Sequence, residues 1–253
     1  MPIKNSIIIQ EQYNKLLDLF RSHKKGFIAF SGGIDSSLVA KAAFDVLGDN
    51  AVAITVDSDL VAKRDLNYAH KSAASIGITH KVIRADLLNI TDIAENSPLR
   101  CYHCKKNIIK SINLFPLFDG SHIDDSDSRP GMKAIKGAGV ISPLALAGFG
   151  KEMIGQVAKF LNLMSADRPS NSCLATRIST CQPLTATKLS MVEVIEDIMF
   201  KAGVSWCRAR MDELSLTIEY GSNPLLPEIE IANKLIITIP ELSSMRVRFL
   251  RRA

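Results

Sequence analysis

No stretch of the sequence stays apolar for the roughly 18–20 residues that a bilayer-crossing helix needs. The opening residues, Met-Pro-Ile-Lys-Asn-Ser-Ile-Ile-Ile, lack the apolar length and cleavage pattern of a signal peptide. Internal repeats and low-complexity tracts are absent as well. The expectation is a soluble cytoplasmic protein with no membrane partner. Five cysteines in 253 residues are too few, and odd in number, for a disulfide framework. Any that converge are expected to serve a metal, a cluster or catalysis. Charge of one sign is also scarce: 31 Lys+Arg against 26 Asp+Glu leave +5. That mild excess suits an anionic substrate without implying nucleic acid.

The chain is 47% hydrophobic and 23% charged, which excludes disorder and leaves room for one large domain or two smaller ones. Tyr13, Leu16, Leu17 and Phe20 recur at helical spacing and predict a leading helix. Apolar runs at 26–30, 51–56 and 80–85 predict strands, with helices between them at 34–47 and 62–76. Such alternation predicts an α/β fold of parallel strands covered by helices, with ligands at the carboxyl ends of the strands. Phe115-Pro116-Leu117-Phe118 makes a poor central strand because proline cannot donate to the ladder. Asp119 to Pro130 is turn-rich and crowds Asp124, Asp125, Asp127 and Arg129 together. A helix over about 151–163 closes a first domain at 1–165.

Asp167 to Ser172 reads as a linker into a second domain, 166–253. There the pattern predicts a helix at 186–202, strands at 204–210 and 214–220, a helix at 227–233 and a strand at 234–239, a small α+β arrangement. From Ala166 to Met245 seven basic residues face ten acidic ones, and only the tail from Arg246 is basic. RNA binding by this domain as a whole is not expected.

Phe30-Ser31-Gly32-Gly33-Ile34-Asp35-Ser36-Ser37 lies between a strand and a helix. Two glycines let the backbone turn sharply and approach a ligand. Amides at the following helix start favour an anion. Ser31, Ser36 and Ser37 add hydroxyls, and Asp35 is placed to hold a Mg²⁺ that bridges phosphates. The Gly-Lys-Ser/Thr ending of a Walker loop is missing, so no P-loop lysine is supplied. The plain alternative is a capped helix start. Ser-Gly-Gly-Ile-Asp-Ser resembles the signature of the PP-loop ATP pyrophosphatases. That resemblance implies cleavage of ATP between the α and β phosphates and adenylation of a substrate.

Cys101 and Cys104, in Arg-Cys-Tyr-His-Cys-Lys, have a spacing that lets two thiolates grip one metal from a helix start. Cys173 stands beyond the linker, Cys181 follows eight residues later, and Cys207 falls in a predicted strand. Spacing alone leaves open buried spectators, a structural zinc site and a functional cluster.

Three segments widen the pattern: Arg100–Lys105, Asp119–Ala134 with its Arg-Pro-Gly-Met-Lys-Ala, and Pro169–Arg177 with its Cys-Leu-Ala-Thr-Arg. Together they resemble the LarE family of PP-loop ATP-dependent sulfur transferases, over roughly 27–210. The resemblance implies a PP-loop parallel sheet sandwiched by helices, with a smaller C-terminal α+β domain. It implies a substrate, a pyridinium dicarboxylate mononucleotide, whose carboxylates are adenylated and become thiocarboxylates in nickel-pincer cofactor biosynthesis. In one branch of that family the cysteine at the position of Cys173 is the sacrificed sulfur donor. In the other, Cys101, Cys104 and Cys173 hold a [4Fe–4S] cluster whose fourth iron carries sulfide. All three cysteines are present, so the cluster branch is expected, with ATP and Mg²⁺ as further cofactors. Sulfide or a sulfur donor is the expected partner, in a homo-oligomer. By the same resemblance Ser58 contacts adenosine, Arg208 and Arg210 hold the substrate phosphate, Glu196 is a further candidate, and Asp125, Arg129 and Arg177 line the junction. The two alternating arginines equally suit a solvated strand face. Thiolation of a tRNA by the same core is the alternative.

Overall fold

The computed structural model describes residues 2–126 and 128–252, so Asp127 lies outside the described residues. Its helices are α1 (Pro2–Asp18), α2 (Ile34–Leu47), α3 (Lys63–Ile76), α4 (Thr91–Ala94), α5 (Arg100–Ile112), α6 (Pro130–Gly137), α7 (Pro143–Leu146), α8 (Lys151–Phe160), α9 (Ala186–Lys201) and α10 (Glu228–Thr238). The strands are β1 (Gly26–Ala29), β2 (Ala51–Asp57), β3 (Thr79–Arg84), β4 (Leu117–Phe118), β5 (Cys207–Met211), β6 (Ser215–Tyr220) and β7 (Arg246–Arg251). The described residues divide into unit 1, at 2–85 and 101–171, and unit 2, at 86–100 and 172–252. Among them no helix is long and apolar enough to cross a membrane.

Unit 1 is a parallel sheet in the order β3-β2-β1-β4, flanked by helices. β1 lies between β2 and β4, with Phe27 level with both Val52 and Leu117. Such placement explains why its short apolar run shows no alternation of polar residues. β4 begins only after Pro116, whose carbonyl still accepts from Phe27 N–H at 3.0 Å. The proline therefore stays outside the ladder, where its missing donor costs nothing. On the far side of β4, Ile141 adds a single bridge to Phe118.

Helix α2 presents Leu38, Val39, Ala40, Ala42 and Ala43 to the interior. Its alanines let α1, α3 and α8 pack around it. Tyr13, Leu16 and Phe20 anchor the leading chain segment in the same core. Phe20 meets Phe118 with ring centroids 4.8 Å apart. Side chains of this size, fully buried, contribute roughly 1.5–3 kcal/mol each.

Unit 2 holds a three-stranded sheet, β5-β6-β7, antiparallel between β5 and β6 and parallel between β6 and β7. α9 packs against β5, and its N-terminus is capped by Thr185, which accepts from Lys188 N–H. The strand expected at 234–239 is absent, because α10 continues through Thr238. Ile231, Leu235 and Ile239 are buried four residues apart, and that helical period overrides the β-branched run Ile236-Ile237. The third strand is instead the basic tail, where Arg246 and Arg248 alternate with Val247 and Phe249.

His80 of β3 is half-buried beside His70 of α3. Burial, then the neighbouring His70, lowers its pKa from 6.5 to about 4. Between those values the unfolded chain takes up a proton that the folded chain refuses, so folding stability rises with pH across the window. Urea melts should therefore weaken steadily as pH falls from 6.5 toward 4, and His80→Gln should flatten part of that slope. An unchanged slope in the variant would assign the acid lability elsewhere.

Candidate active site

The loop leaving β1 is shaped by contacts that only glycine allows. Gly32 has φ +72°, and a Cβ there would stand 2.8 Å from the Ala69 Cα of α3. Gly33 precedes α2 in an extended conformation, with no side chain capping the helix. The first-turn amides of α2 therefore lack helical partners by construction. Gly120, from the loop after β4, lies over this turn: a Cβ there would meet Ser36 N at 2.9 Å.

The loop hydroxyls form a directed network. Ser36 Oγ donates to the Gly33 carbonyl at 3.1 Å and so accepts from Ser31 N–H and Ser31 Oγ, each at 3.2 Å. Ser31 Oγ in turn accepts from Gly33 N–H at 3.3 Å. Ser31 is exposed, whereas Ser37 is fully buried and its hydroxyl meets Ser72 of α3. Ser37 thus stitches α2 to α3. Ser58, at the end of β2, is buried, and its carbonyl accepts from Val61 N–H.

Asp35 sits in the first turn of α2 with Oδ1 buried and without a partner. Its Oδ2 lies 3.7 Å from Lys151 Nζ. Burial raises its pKa above the usual carboxylate range; Lys151 and His122 oppose this and Asp125 adds to it. An orphaned hard oxygen at a helix start beside a glycine loop fits a divalent cation bound to phosphates.

Lys151 escapes a sequence reading because it arrives from far along the chain, at the start of α8. Asp124 holds it there: its Oδ2 accepts from Lys151 N–H at 2.7 Å. Gly150 lets this carboxylate come close, since a Cβ there would lie 2.9 Å from the same oxygen. Buried His122 accepts at Nδ1 from Asp124 N–H, and its Nε2 lies 3.5 Å from Asp125 Oδ2. Asp125 also accepts from His122 N–H and from exposed Arg129, at 3.1 and 2.9 Å. Asp125 and Arg129 are therefore linked in the same loop system that reaches Asp35. A Gly-Lys pair opening a helix was the signal that could have found Lys151.

Cys101 and Cys104 occupy the first turn of α5, three residues apart and hence on one side of it. Cys101 is exposed and Cys104 half-buried. Cys173 belongs to unit 2, is half-buried, and precedes a short turn at Leu174–Arg177. Within each unit, the described residues hold no group of three His, Cys, Asp or Glu side chains arranged for a metal. The Cys173 carbonyl accepts from Thr176 N–H and Oγ1, at 3.0 and 2.7 Å. Arg177 donates to Ser172 Oγ and Thr176 Oγ1 on one side. On the other its Nε donates to Glu196 Oε1 at 2.6 Å. Arg177 and Glu196 are 1% and 0% exposed. Glu196 also accepts from Ala209 N–H at 3.0 Å, so the pair joins the Cys173 turn to α9 and β5. These two side chains lie in the interior of unit 2, facing each other. On β5, Arg208 and Arg210 share the outer face: Arg210 pairs with Glu219 at 2.8 Å, and the Arg208 guanidinium lies 5.8 Å from the Trp206 ring centroid.

A family model described as NAD synthase matches residues 13–114, the stretch that carries the loop. A protein of Lactiplantibacillus plantarum named pyridinium-3,5-bisthiocarboxylic acid mononucleotide synthase is 31% identical over 218 residues, 83% of this chain and 77% of that one. The chain belongs to the LarE family. An uncharacterized Synechocystis protein is 33% identical over 220 residues, covering 84% of this chain and 82% of its own. Another from Methanocaldococcus jannaschii is 30% identical over 194 residues, 74% of this chain and 73% of that protein. As a LarE-family member with a PP loop, the chain is an ATP-using enzyme.

The Arg177–Glu196 pair makes a stability claim that can be measured. Glu196→Ala leaves a buried guanidinium without its carboxylate and should cost about 3–5 kcal/mol. Urea unfolding followed by Trp206 fluorescence, in unit 2, reads that loss directly. A cost near zero would contradict the buried pairing.

Proposed function

We propose that the chain adenylates a carboxylate of a pyridinium dicarboxylate mononucleotide, releases pyrophosphate, and converts the acyl-adenylate to a thiocarboxylate. The observation that carries the ATP half is the partnerless buried Oδ1 of Asp35 beside the Gly32–Gly33 turn. The activity for which the L. plantarum relative is named supports the substrate class.

In this reading Ser31, Gly32, Gly33 and Ser36 hold the phosphates, chiefly through backbone amides at the start of α2. Ser37 holds the loop against α3, and Ser58 shapes the end of β2. Asp35 would hold the Mg²⁺, which supplies charge neutralisation on the phosphates. A substrate carboxylate oxygen attacks the α-phosphorus, the α–β bridging bond breaks, and pyrophosphate leaves with the electron pair. Lys151 neutralises charge on the leaving pyrophosphate, a duty the loop itself cannot perform without a lysine. Catalysis of this type is largely positioning and electrostatics, so it requires no general base here. Sulfur then bonds to the acyl carbon and AMP departs.

Arg208 and Arg210 present planar forks that suit the substrate's phosphate. Asp125 and Arg129 order the loop around Asp35, and Arg177 with Glu196 positions Cys173. Three accessible thiols are a donor set suited to an iron–sulfur cluster. Cys101, Cys104 and Cys173 would hold a [4Fe–4S] cluster, which supplies transferable sulfide when bound.

Two measurements test this. With Mg·ATP and the mononucleotide, Asp35→Asn should lower pyrophosphate release by about a hundredfold, and Lys151→Met by a smaller factor. Wild-type rates in Asp35→Asn would overturn the site. Separately, anaerobic reconstitution should give a brown protein, and Cys101→Ala, Cys104→Ala or Cys173→Ala should each remove the colour. A colourless, iron-free wild type whose mass drops by H₂S during turnover would instead make Cys173 the sulfur donor.

A further inference from the structure

The Phe30 carbonyl and the Ser31 amide belong to one peptide plane, the first of the phosphate loop. Both of its ends are held. Thr55 Oγ1 donates to the Phe30 carbonyl at 2.7 Å, and Ser31 N–H donates to Ser36 Oγ at 3.2 Å. A hydroxyl has a single proton, and a carbonyl can only accept it. Thr55 Oγ1 must therefore accept at its other short contact, 2.7 Å from His80 Nε2. His80 accordingly carries a proton on Nε2. Its pKa, held low by burial, keeps the ring neutral at pH 7, so Nδ1 retains a lone pair. His70 Nδ1, 3.2 Å away, is then the donor to it.

The order of donors is thus dictated from the surface inward: exposed His70 to His80, His80 to buried Thr55, and Thr55 to the peptide that opens the loop. The edge-on ring of Phe30, with its centroid 5.6 Å from that of His80, packs the same imidazole from the loop side. Two glycines follow this peptide, and glycine restrains its own dihedrals poorly. With Gly32 pressed against Ala69, the Phe30–Ser31 plane sets the direction from which the chain enters the Gly32–Gly33 turn.

We propose that His80 and Thr55 are positioning residues for the nucleotide, clamping the Phe30–Ser31 peptide so that the Gly32 and Gly33 amides stay aimed at its phosphates. This rests on reading the loop as the ATP site. His80 acts through Thr55, and Thr55 acts through the Phe30–Ser31 peptide.

The test uses the full chain, with Mg·ATP binding by calorimetry, steady-state pyrophosphate release and thermal melts on the same variants. Thr55→Val, nearly isosteric but without a proton to give, should weaken Mg·ATP binding about tenfold, the loss of one buried hydrogen bond. The loss should fall on KM for ATP rather than on kcat. His80→Leu should do the same. Thr55→Ser and His80→Gln each keep a donor in place and should restore affinity close to that of the wild type. His70→Ala should bind normally, since water can replace an exposed donor. ¹⁵N spectra of the imidazoles should show His80 as the Nε2–H tautomer at pH 7, with or without nucleotide.

A melt that shifts in Thr55→Val while ATP affinity stays put would reduce the clamp to a structural contact and overturn the proposal alone. The Nδ1–H tautomer at His80 would overturn it independently of any variant's folding. Failure of the wild type to bind Mg·ATP would overturn the proposal and the reading of the loop together, while the tautomer spectrum would still report the hydrogen-bond order.

Discussion

The approach of the Gly32 backbone to Ala69 governs the geometry of unit 1. The two residues are so close that any Cβ at Gly32 would fall 2.8 Å from the neighbouring Cα. This contact fixes where the loop can run, and Ser37 bonding to Ser72 fastens the next helix to the same wall. With α2 fastened, Asp35 must point where it does, one oxygen toward Lys151 and the other unpartnered. Helix propensity alone would not produce this arrangement. It follows from small residues that let backbones meet, combined with polar side chains whose donors and acceptors are matched in sequence along the loop.

Much of this was readable from the amino-acid order because its ingredients are contiguous. An apolar run from Gly26, then Gly32 and Gly33, three serines and an aspartate up to residue 37 specify strand, turn and helix without distant help. Lys151 and His122 were not readable as neighbours of Asp35, because only the path of the chain after β4 brings them there. Burial was equally hidden: nothing in the order of residues shows that Arg177 and Glu196 are enclosed against each other. In unit 2 a short β-branched run masked the four-residue period of α10, and the charge of the tail masked its strand alternation. Local propensity and composition misled at those points, while buried side chains decided the outcome.

The turn after Cys173 shows how a costly group can still shape a site. Enclosing a guanidinium and a carboxylate is favourable only when their remaining hydrogen-bonding atoms are also matched. Here the carboxylate takes a backbone amide of β5, and the guanidinium takes two hydroxyls beside the cysteine. The arrangement ties the turn at Cys173 to the sheet of unit 2 through side chains that leave no hydrogen-bonding gap between them.

Helix α3 has a second tie besides the loop. Arg168 bonds Asp65 at 2.6 Å and stacks 3.7 Å over Tyr68, while Asn171 takes the other Asp65 oxygen. Asp65 and Ala69 are one helical turn apart. The phosphate loop and the last residues of unit 1 therefore lean on the same short rod from different sides. A ligand that reseats Gly32 presses on a lever whose other attachment is the strap at 168–171.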